Sequence, residues 1–319
     1  MRIIRHFNAV PREARGAAIA VGNFDGIHLG HRAVIGEAGK IAHAAGIPWA
    51  VLTFEPHPRA LFQPNTEPFR VTPFRSKVRE IAALGVEYLV VLRFDRALSE
   101  RSAESFVTDV LVNGLGARHV VSGYDFVFGH RRQGNCELLL AMGRKAGFDF
   151  TAVRPIMDLS VTPYSATRVR THLKAGDPKG AAALLGRPFE IEGRVVAGDQ
   201  RGRLIGFPTA NIPLSRWQLR PKLGVYAVRA GVVTTPAGLA DQVTWYDGVA
   251  NFGIRPMFPA ADPLLEVYLF NFNGDLYGRR VRVRFIDFLR AEKKFDGLDE
   301  LKAQIVRDSD RARDALARA

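Results

Sequence analysis

The chain has 319 residues, 47% hydrophobic and 24% charged, with a formal net charge of +13. That length and mix describe a globular protein of two domains, each long enough to bury its own core, and exclude a disordered or low-complexity chain. The basic residues are scattered, without a Lys/Arg-dense arm interleaved with aromatics, so the charge points first to small phosphorylated substrates and not to nucleic acid.

In chain order, residues 17–21 form a short apolar run that reads as a strand and ends at Gly22. A helical pattern follows over 29–45. Strands are expected at 49–54, 88–92, 119–122 and 150–153, and helices at 76–84, 103–112 and 136–146. Repeated strand–helix alternation argues for a Rossmann-like parallel sheet covered on both faces. After Gly186-Arg187-Pro188 the pattern changes. Short β-rich segments at 189–196, 224–228, 243–250, 264–270 and 281–285, broken by Gly and Pro, argue for a small antiparallel β-barrel. Leu298, Leu301 and Ile305 lie at helical spacing and predict a C-terminal helix over 298–316. The fold class is therefore α/β followed by a barrel, with domains 1–185 and 186–319. The single cysteine, Cys136, allows no internal disulfide and fits a reducing cytoplasm. No apolar stretch approaches membrane-spanning length, so no membrane is expected as a partner.

The first chemical constellation lies at residues 22–31, Gly-Asn-Phe-Asp-Gly-Ile-His-Leu-Gly-His, between the first predicted strand and helix. Ligands of open α/β sheets bind at the carboxyl ends of strands, and a helix N-terminus presents free N–H groups to an anion. His28 and His31 are three apart and share a helix face. Two imidazoles there suit the α- and β-phosphates of a nucleotide, where they stabilise charge as an attacking phosphate displaces pyrophosphate. Gly30 between them permits close approach. On these residues alone, a two-histidine metal site and incidental helix-start histidines stay open. Residues 53–59 (Thr-Phe-Glu-Pro-His-Pro-Arg), 123–129 (Gly-Tyr-Asp-Phe-Val-Phe-Gly, with Asp125) and 165–170 (Ser-Ala-Thr-Arg-Val-Arg) also follow predicted strands. One crevice can collect them. Ser165, Thr167 and Arg168 suit the start of a helix that holds phosphate oxygens; an ordinary Ser/Thr cap is the plainer reading.

The second constellation is Gly-Arg-Leu-Ile-Gly-Phe-Pro-Thr-Ala-Asn-Ile at 202–212. Thr209 and Asn211 are two apart in a segment stiffened by Pro208, so in an extended chain they point the same way. A hydroxyl and a carboxamide oxygen suit Mg²⁺, a hard cation that shares phosphate oxygens. Gly202 and Gly206 let a loop close over a nucleotide, and a Gly/Pro turn between strands is the plainer alternative. In the run 264–270, Leu-Leu-Glu-Val-Tyr-Leu-Phe, Leu265, Val267 and Leu269 share one strand face while Glu266 and Tyr268 share the other. Glu266 either accepts a proton from a substrate hydroxyl that attacks the γ-phosphate of ATP or faces solvent.

At these residues the chain resembles the prokaryotic bifunctional riboflavin kinase/FMN adenylyltransferases (FAD synthetases) from about Val21 to Asp308. The resemblance implies that riboflavin is phosphorylated to FMN and FMN adenylylated to FAD, with ATP as substrate, Mg²⁺ as cofactor, and ADP and pyrophosphate released. It implies that His28, His31 and Arg168 act on phosphate charge. Gly22, Asn23, Phe24, Gly30, Asp125, Ser165 and Thr167 would then lie at the nucleotide and flavin of the first half. In the second half it implies Glu266 as base and Thr209 and Asn211 at Mg²⁺–ATP, with Gly202, Gly206, Pro208 and Arg255 lining the site. The chain departs from the family's usual residues at Val127, Ala166, Met257, Tyr268 and Asn271. The implied partners are small molecules, without nucleic acid or membrane, and the family allows transient self-association. Two other readings stand beside this one: another nucleotidyltransferase with a His-x-Gly-His turn, and a basic nucleic-acid-binding protein. The first leaves 202–212 and Glu266 without a reason, and the second rests on net charge alone.

Overall fold

The structure, a computed structural model, describes residues 1–198, 202, 206–235, 242–254 and 263–319. They form two compact units: Met1–Thr66 with Phe74–Ser165, and Glu67–Pro73 with Ala166–Ala319.

The first unit is built on a six-stranded parallel sheet. Its strands are β1 (Arg2–Ile4), β2 (Ala18–Val21), β3 (Trp49–Glu55), β4 (Tyr88–Arg93), β5 (His119–Gly123) and β6 (Asp149–Val153), in the order β1-β4-β3-β2-β5-β6. Every pairing within it is parallel. β2 is buried along its whole length because helices cover both faces, which explains why it reads as a continuous apolar run and not as an alternation. One face packs Ile19, Val21, Leu52, Leu92 and Val120 against Phe106, Val110 and Leu111. The helix Leu29–Ala45 buries Val34, Ile35, Ala38 and Ala42. It starts on His28 and stops at Gly46 in the left-handed region, φ 60°.

Five of the six strands stand where the sequence places them, within a residue or two. β1 was not expected: three residues carry no periodicity, and only pairing with β4 defines the strand. The expected helix over 103–112 is α-helical only for Ala103–Ser105. Phe106–Gly114 widens into a π-helix, as in the 2.9 Å bond from the Leu115 N–H to the Val110 carbonyl five residues back. Apolar spacing reveals a helix but not the size of its hydrogen-bonded ring.

The second unit carries a six-stranded antiparallel sheet: β7 (Phe189–Arg194), β8 (Ala210–Pro213), β9 (Gly224–Thr235), β10 (Gln242–Gly253), β11 (Leu264–Leu269) and β12 (Arg280–Arg290). Its order is β7-β12-β9-β10-β11-β8. The sheet curls until its two edges meet. The Val196 N–H beyond β7 donates 2.9 Å to the Asn211 carbonyl in β8, which makes the barrel of the expected fold class. The interior is apolar, with Ile191, Val228, Phe252, Leu265, Val267 and Val283 buried. The C-terminal helix, Leu298–Ala317, closes the other face through Ala312, Ala315 and Leu316 packed on Val225, Val249 and Leu289. It is latched by Asp308, 2% exposed, which accepts from Arg290 Nε and Nη2 and from Gln304.

The helices Ala166–Ala175 and Pro178–Leu185 group with this unit, the latter packing on β12 and β7. So does the segment 67–73. The Trp217 carbonyl accepts from Phe69 N–H at 3.0 Å and Arg70 N–H at 2.7 Å, and the Phe69 carbonyl accepts from Arg170 Nε at 2.7 Å.

Asp177 caps the helix Pro178–Leu185, accepting from the Gly180 N–H at 2.8 Å, and lies 2.7 Å from His172 Nδ1. Burial acts to raise its carboxyl, but the Gly180 N–H and the His172 ring outweigh it and hold the group below its ordinary 3.8. A depressed carboxyl adds stability that is present above the unfolded value and is lost as pH falls through the folded one. Asp177→Ala is therefore expected to cost about 1 kcal/mol at neutral pH. In thermal melts taken down the pH scale, its deficit against the parent should shrink below the ordinary aspartate range.

Candidate active sites

In the first unit the chain leaves β2 into a tight turn. The Gly22 N–H donates 3.1 Å to the Leu52 carbonyl, continuing the β2–β3 ladder by one bond. Phe24 and Ile27 then both adopt left-handed backbone, φ 47°, although both are buried apolar residues. That conformation costs about 1–2 kcal/mol per residue, so the surroundings must enforce it. The turn delivers His28 as N-cap of the helix Leu29–Ala45, its Nδ1 accepting 3.3 Å from the His31 N–H. An imidazole that accepts at Nδ1 carries its proton on Nε2, so the far side of His28 is a donor. The two rings stack with centroids 3.6 Å apart, and Phe24 meets His31 edge-on at 5.4 Å. A Cβ at Gly30 would lie 3.1 Å from His28 Nδ1 and 3.5 Å from Tyr164 Cβ, so glycine is what lets the ring fold back over the helix start.

The chain runs from β2 outward through β3 and β4, then returns to β5 on the other side of β2. The carboxyl ends of β2 and β5 thus flank the point where strand order reverses, where open α/β sheets bind ligands. Beyond β5, a turn from the Phe126 N–H to the Gly123 carbonyl, 3.1 Å, carries the exposed Asp125. Ser165 follows Tyr164, which lies against Gly30. Thr167 and Arg168 lie on the helix Ala166–Ala175, in the second unit.

Beneath the turn is a group that the sequence reading missed. Lys77, on the helix Phe74–Ala82, is fully buried. Its Nζ donates 2.8 Å to the Asn23 carbonyl and lies 3.1 Å from Glu55. The available signal was a cation four residues before Ile81 on the buried face of that helix.

In the second unit the register aligns three polar residues across neighbouring strands. Glu266 in β11 pairs with Asn211 in β8 on one side and with Asn251 in β10 on the other. Cross-strand partners share a face, so these groups stand together on the face opposite Leu265 and Val267. Asn211 is only 5% exposed. Thr209 is two residues earlier, and a Cβ at Gly202 would lie 3.3 Å from its Oγ1. The Gly202 carbonyl accepts from the Phe207 N–H at 2.8 Å, and Gly206 turns with φ 87° before Pro208. Tyr268 meets Phe207 edge-on at 5.4 Å. Arg255 and Met257 lie outside the described residues.

A second carboxylate was also missed. A Cβ at Gly253 would collide with the Glu292 carboxylate, which therefore sits over the end of β10. Burial pushes the Glu292 carboxyl up; the neighbouring Glu266 adds to the rise, while an Asn251 hydrogen bond and Arg290 oppose it. For a bound cation, the donors on this face are the Thr209 hydroxyl, the Asn211 carboxamide and carboxylates. Among the described residues no three His, Cys, Asp or Glu side chains converge as a metal cage. Such a set fits Mg²⁺ arriving with phosphate oxygens and waters.

Two families match the chain in succession. The FAD synthetase family matches residues 10–168, and the riboflavin kinase family matches residues 185–316. The bifunctional riboflavin kinase/FMN adenylyltransferase of Escherichia coli K12 is 41% identical over 98% of this chain and 96% of its own. The protein of the same name from Bacillus subtilis is 36% identical at the same coverage. The chain belongs to the bifunctional riboflavin kinase/FMN adenylyltransferases. It is an enzyme of flavin cofactor biosynthesis that forms FMN from riboflavin and FAD from FMN. A crystal structure described as a macrolide-efflux protein from Streptococcus pneumoniae has the same fold, with a TM-score of 0.83, 30% identity and 98% of both chains covered. Among the described residues here, no helix is long and apolar enough to cross a membrane.

Gly30→Ala should favour the helix yet push the His28 ring by a few tenths of an ångström. FMN adenylylation is expected to fall about tenfold, or 1.4 kcal/mol in barrier, without loss of thermal stability. Parallel FAD-formation assays and thermal melts check the two signs.

Proposed function

We propose that ATP and FMN react at the turn 22–31 of the first unit and that riboflavin is phosphorylated beside Thr209, Asn211 and Glu266 in the second. What supports this most is that the turn 22–31 lies within the FAD synthetase match at 10–168, whereas Thr209, Asn211 and Glu266 lie within the riboflavin kinase match at 185–316. By function the chain divides at about residue 185, into 1–185 and 186–319, although 67–73 and 166–185 pack with the second unit.

In the first site the FMN phosphate attacks the α-phosphorus of ATP and pyrophosphate leaves. His28 Nε2–H and the His31 ring take the phosphate charge, and the helix N-terminus adds its partial positive charge. Gly22, Asn23, Phe24 and Asp125 frame the substrates. In the second site Glu266 accepts the proton of the ribityl hydroxyl as its oxygen attacks the γ-phosphorus, and ADP leaves. Asn251, its cross-strand neighbour in β10, hydrogen-bonds the nearby Glu292 carboxylate. Thr209 and Asn211 would hold Mg²⁺, which when bound neutralises phosphate charge. The reactants are soluble small molecules, the cytoplasm is their proposed compartment, and nucleic acid has no part in the reaction.

Glu266→Gln is expected to lower FMN formation at least a hundredfold while FAD formation from supplied FMN continues. His28→Ala should do the reverse. Chromatographic assays with riboflavin or FMN as substrate separate the two, and loss of both reactions in a folded variant would overturn the assignment of separate sites.

A further inference from the structure

Lys77 has an environment that core packing alone does not explain. The side chain is fully buried, and its Nζ lies 2.8 Å from the Asn23 carbonyl, 3.4 Å from Thr53 Oγ1 and 3.1 Å from the Glu55 carboxylate. The Thr53 hydroxyl donates 3.2 Å to the same Asn23 carbonyl. Two donors from below therefore converge on one main-chain oxygen, the one immediately before Phe24 enters the left-handed region. Glu55 closes β3, and parallel pairing puts that end of the strand at the same edge of the sheet as the turn. A buried ion pair gains little over an apolar pair of similar volume, so an ammonium group here is better explained by what it holds in place. What it holds is the turn that delivers His28 and His31.

We propose that Lys77 is a positioning residue for FMN adenylylation, pinning the Asn23 carbonyl so that the turn 22–28 presents both histidines to the nucleotide phosphates. The inference rests on the assignment of that turn to the adenylylation site. Lys77 takes no part in proton or phosphoryl transfer. Its effect is on the geometry of groups that meet charge developing at the phosphorus, so its loss should appear in kcat more than in KM.

Lys77→Met alone would strand the Glu55 carboxylate, so the decisive variant is Lys77→Met with Glu55→Gln, in the full chain. Riboflavin phosphorylation by the same molecules reports their integrity. The double variant should melt within a few degrees of the parent and phosphorylate riboflavin normally. Its kcat for FAD formation from FMN should fall at least tenfold, with KM for ATP changed by less than about threefold. Thr53→Val, nearly isosteric, removes the second donor to the same carbonyl and should lower kcat in the same sense by a smaller factor. If the double variant folds and keeps kcat within twofold, Lys77 is structural only. If the double variant does not fold, Thr53→Val decides, and an unchanged kcat there refutes the pinning. His28→Ala separates the two levels of the argument. Full adenylylation by that variant refutes the site itself, whereas its inactivity beside an active Lys77→Met/Glu55→Gln refutes only the role of Lys77.

Discussion

The first unit depends on the direction of one strand. β2 is buried on both faces and paired in parallel on both edges, so its carboxyl end can open in only one place. Parallel pairing sets the ends of β3 and β5 at that same edge. Residues far apart in sequence, Asn23, Thr53, Glu55 and Gly123, are thereby brought to one rim. The backbone there is strained at Phe24 and Ile27, and strain of that kind persists only where neighbouring groups over-determine it. Lys77 and Thr53 beneath the turn and the capping of the helix by His28 above it are such groups.

In the proposed sites the two units would meet similar phosphate charge by different means. The first offers directed donors: helix N–H groups and two stacked imidazoles. The second offers the Thr209, Asn211 and Glu266 side chains on one face of a curled sheet, a set that suits a hard cation shared with a phosphate. The barrel makes this arrangement rigid. A shift of one residue between β8 and β11 would turn Asn211 away from Glu266 and bury it among Leu265 and Val267. The apolar face therefore fixes the polar one.

Much of this was legible beforehand. The helix Leu29–Ala45 announces itself through apolar spacing and Gly46, and β11 through its alternation, which places Glu266 opposite the core side chains. The fold class followed from strand–helix alternation giving way to short strands. β1 and β8 were not legible, being three and four residues long and defined only by their partners. Nor was the grouping of 67–73 with the second unit, which rests on backbone bonds to Trp217 some 150 residues away. Asn251 escaped notice because the expected strand ended at 250, one residue before the position that meets Glu266.

The sequence by itself determined where helices start and stop, which faces are apolar, and which short segments carry histidine, glutamate and asparagine in chemically meaningful order. Those signals act over a few residues, through caps, side-chain period and glycine. Only the tertiary structure decided which polar groups meet: Glu266 between Asn211 and Asn251, Glu292 over Gly253, and Lys77 under the Asn23 carbonyl. Strand register and the reach of a buried side chain set those encounters. Both are settled by hydrogen bonds and packing between segments tens of residues apart, which no local pattern encodes.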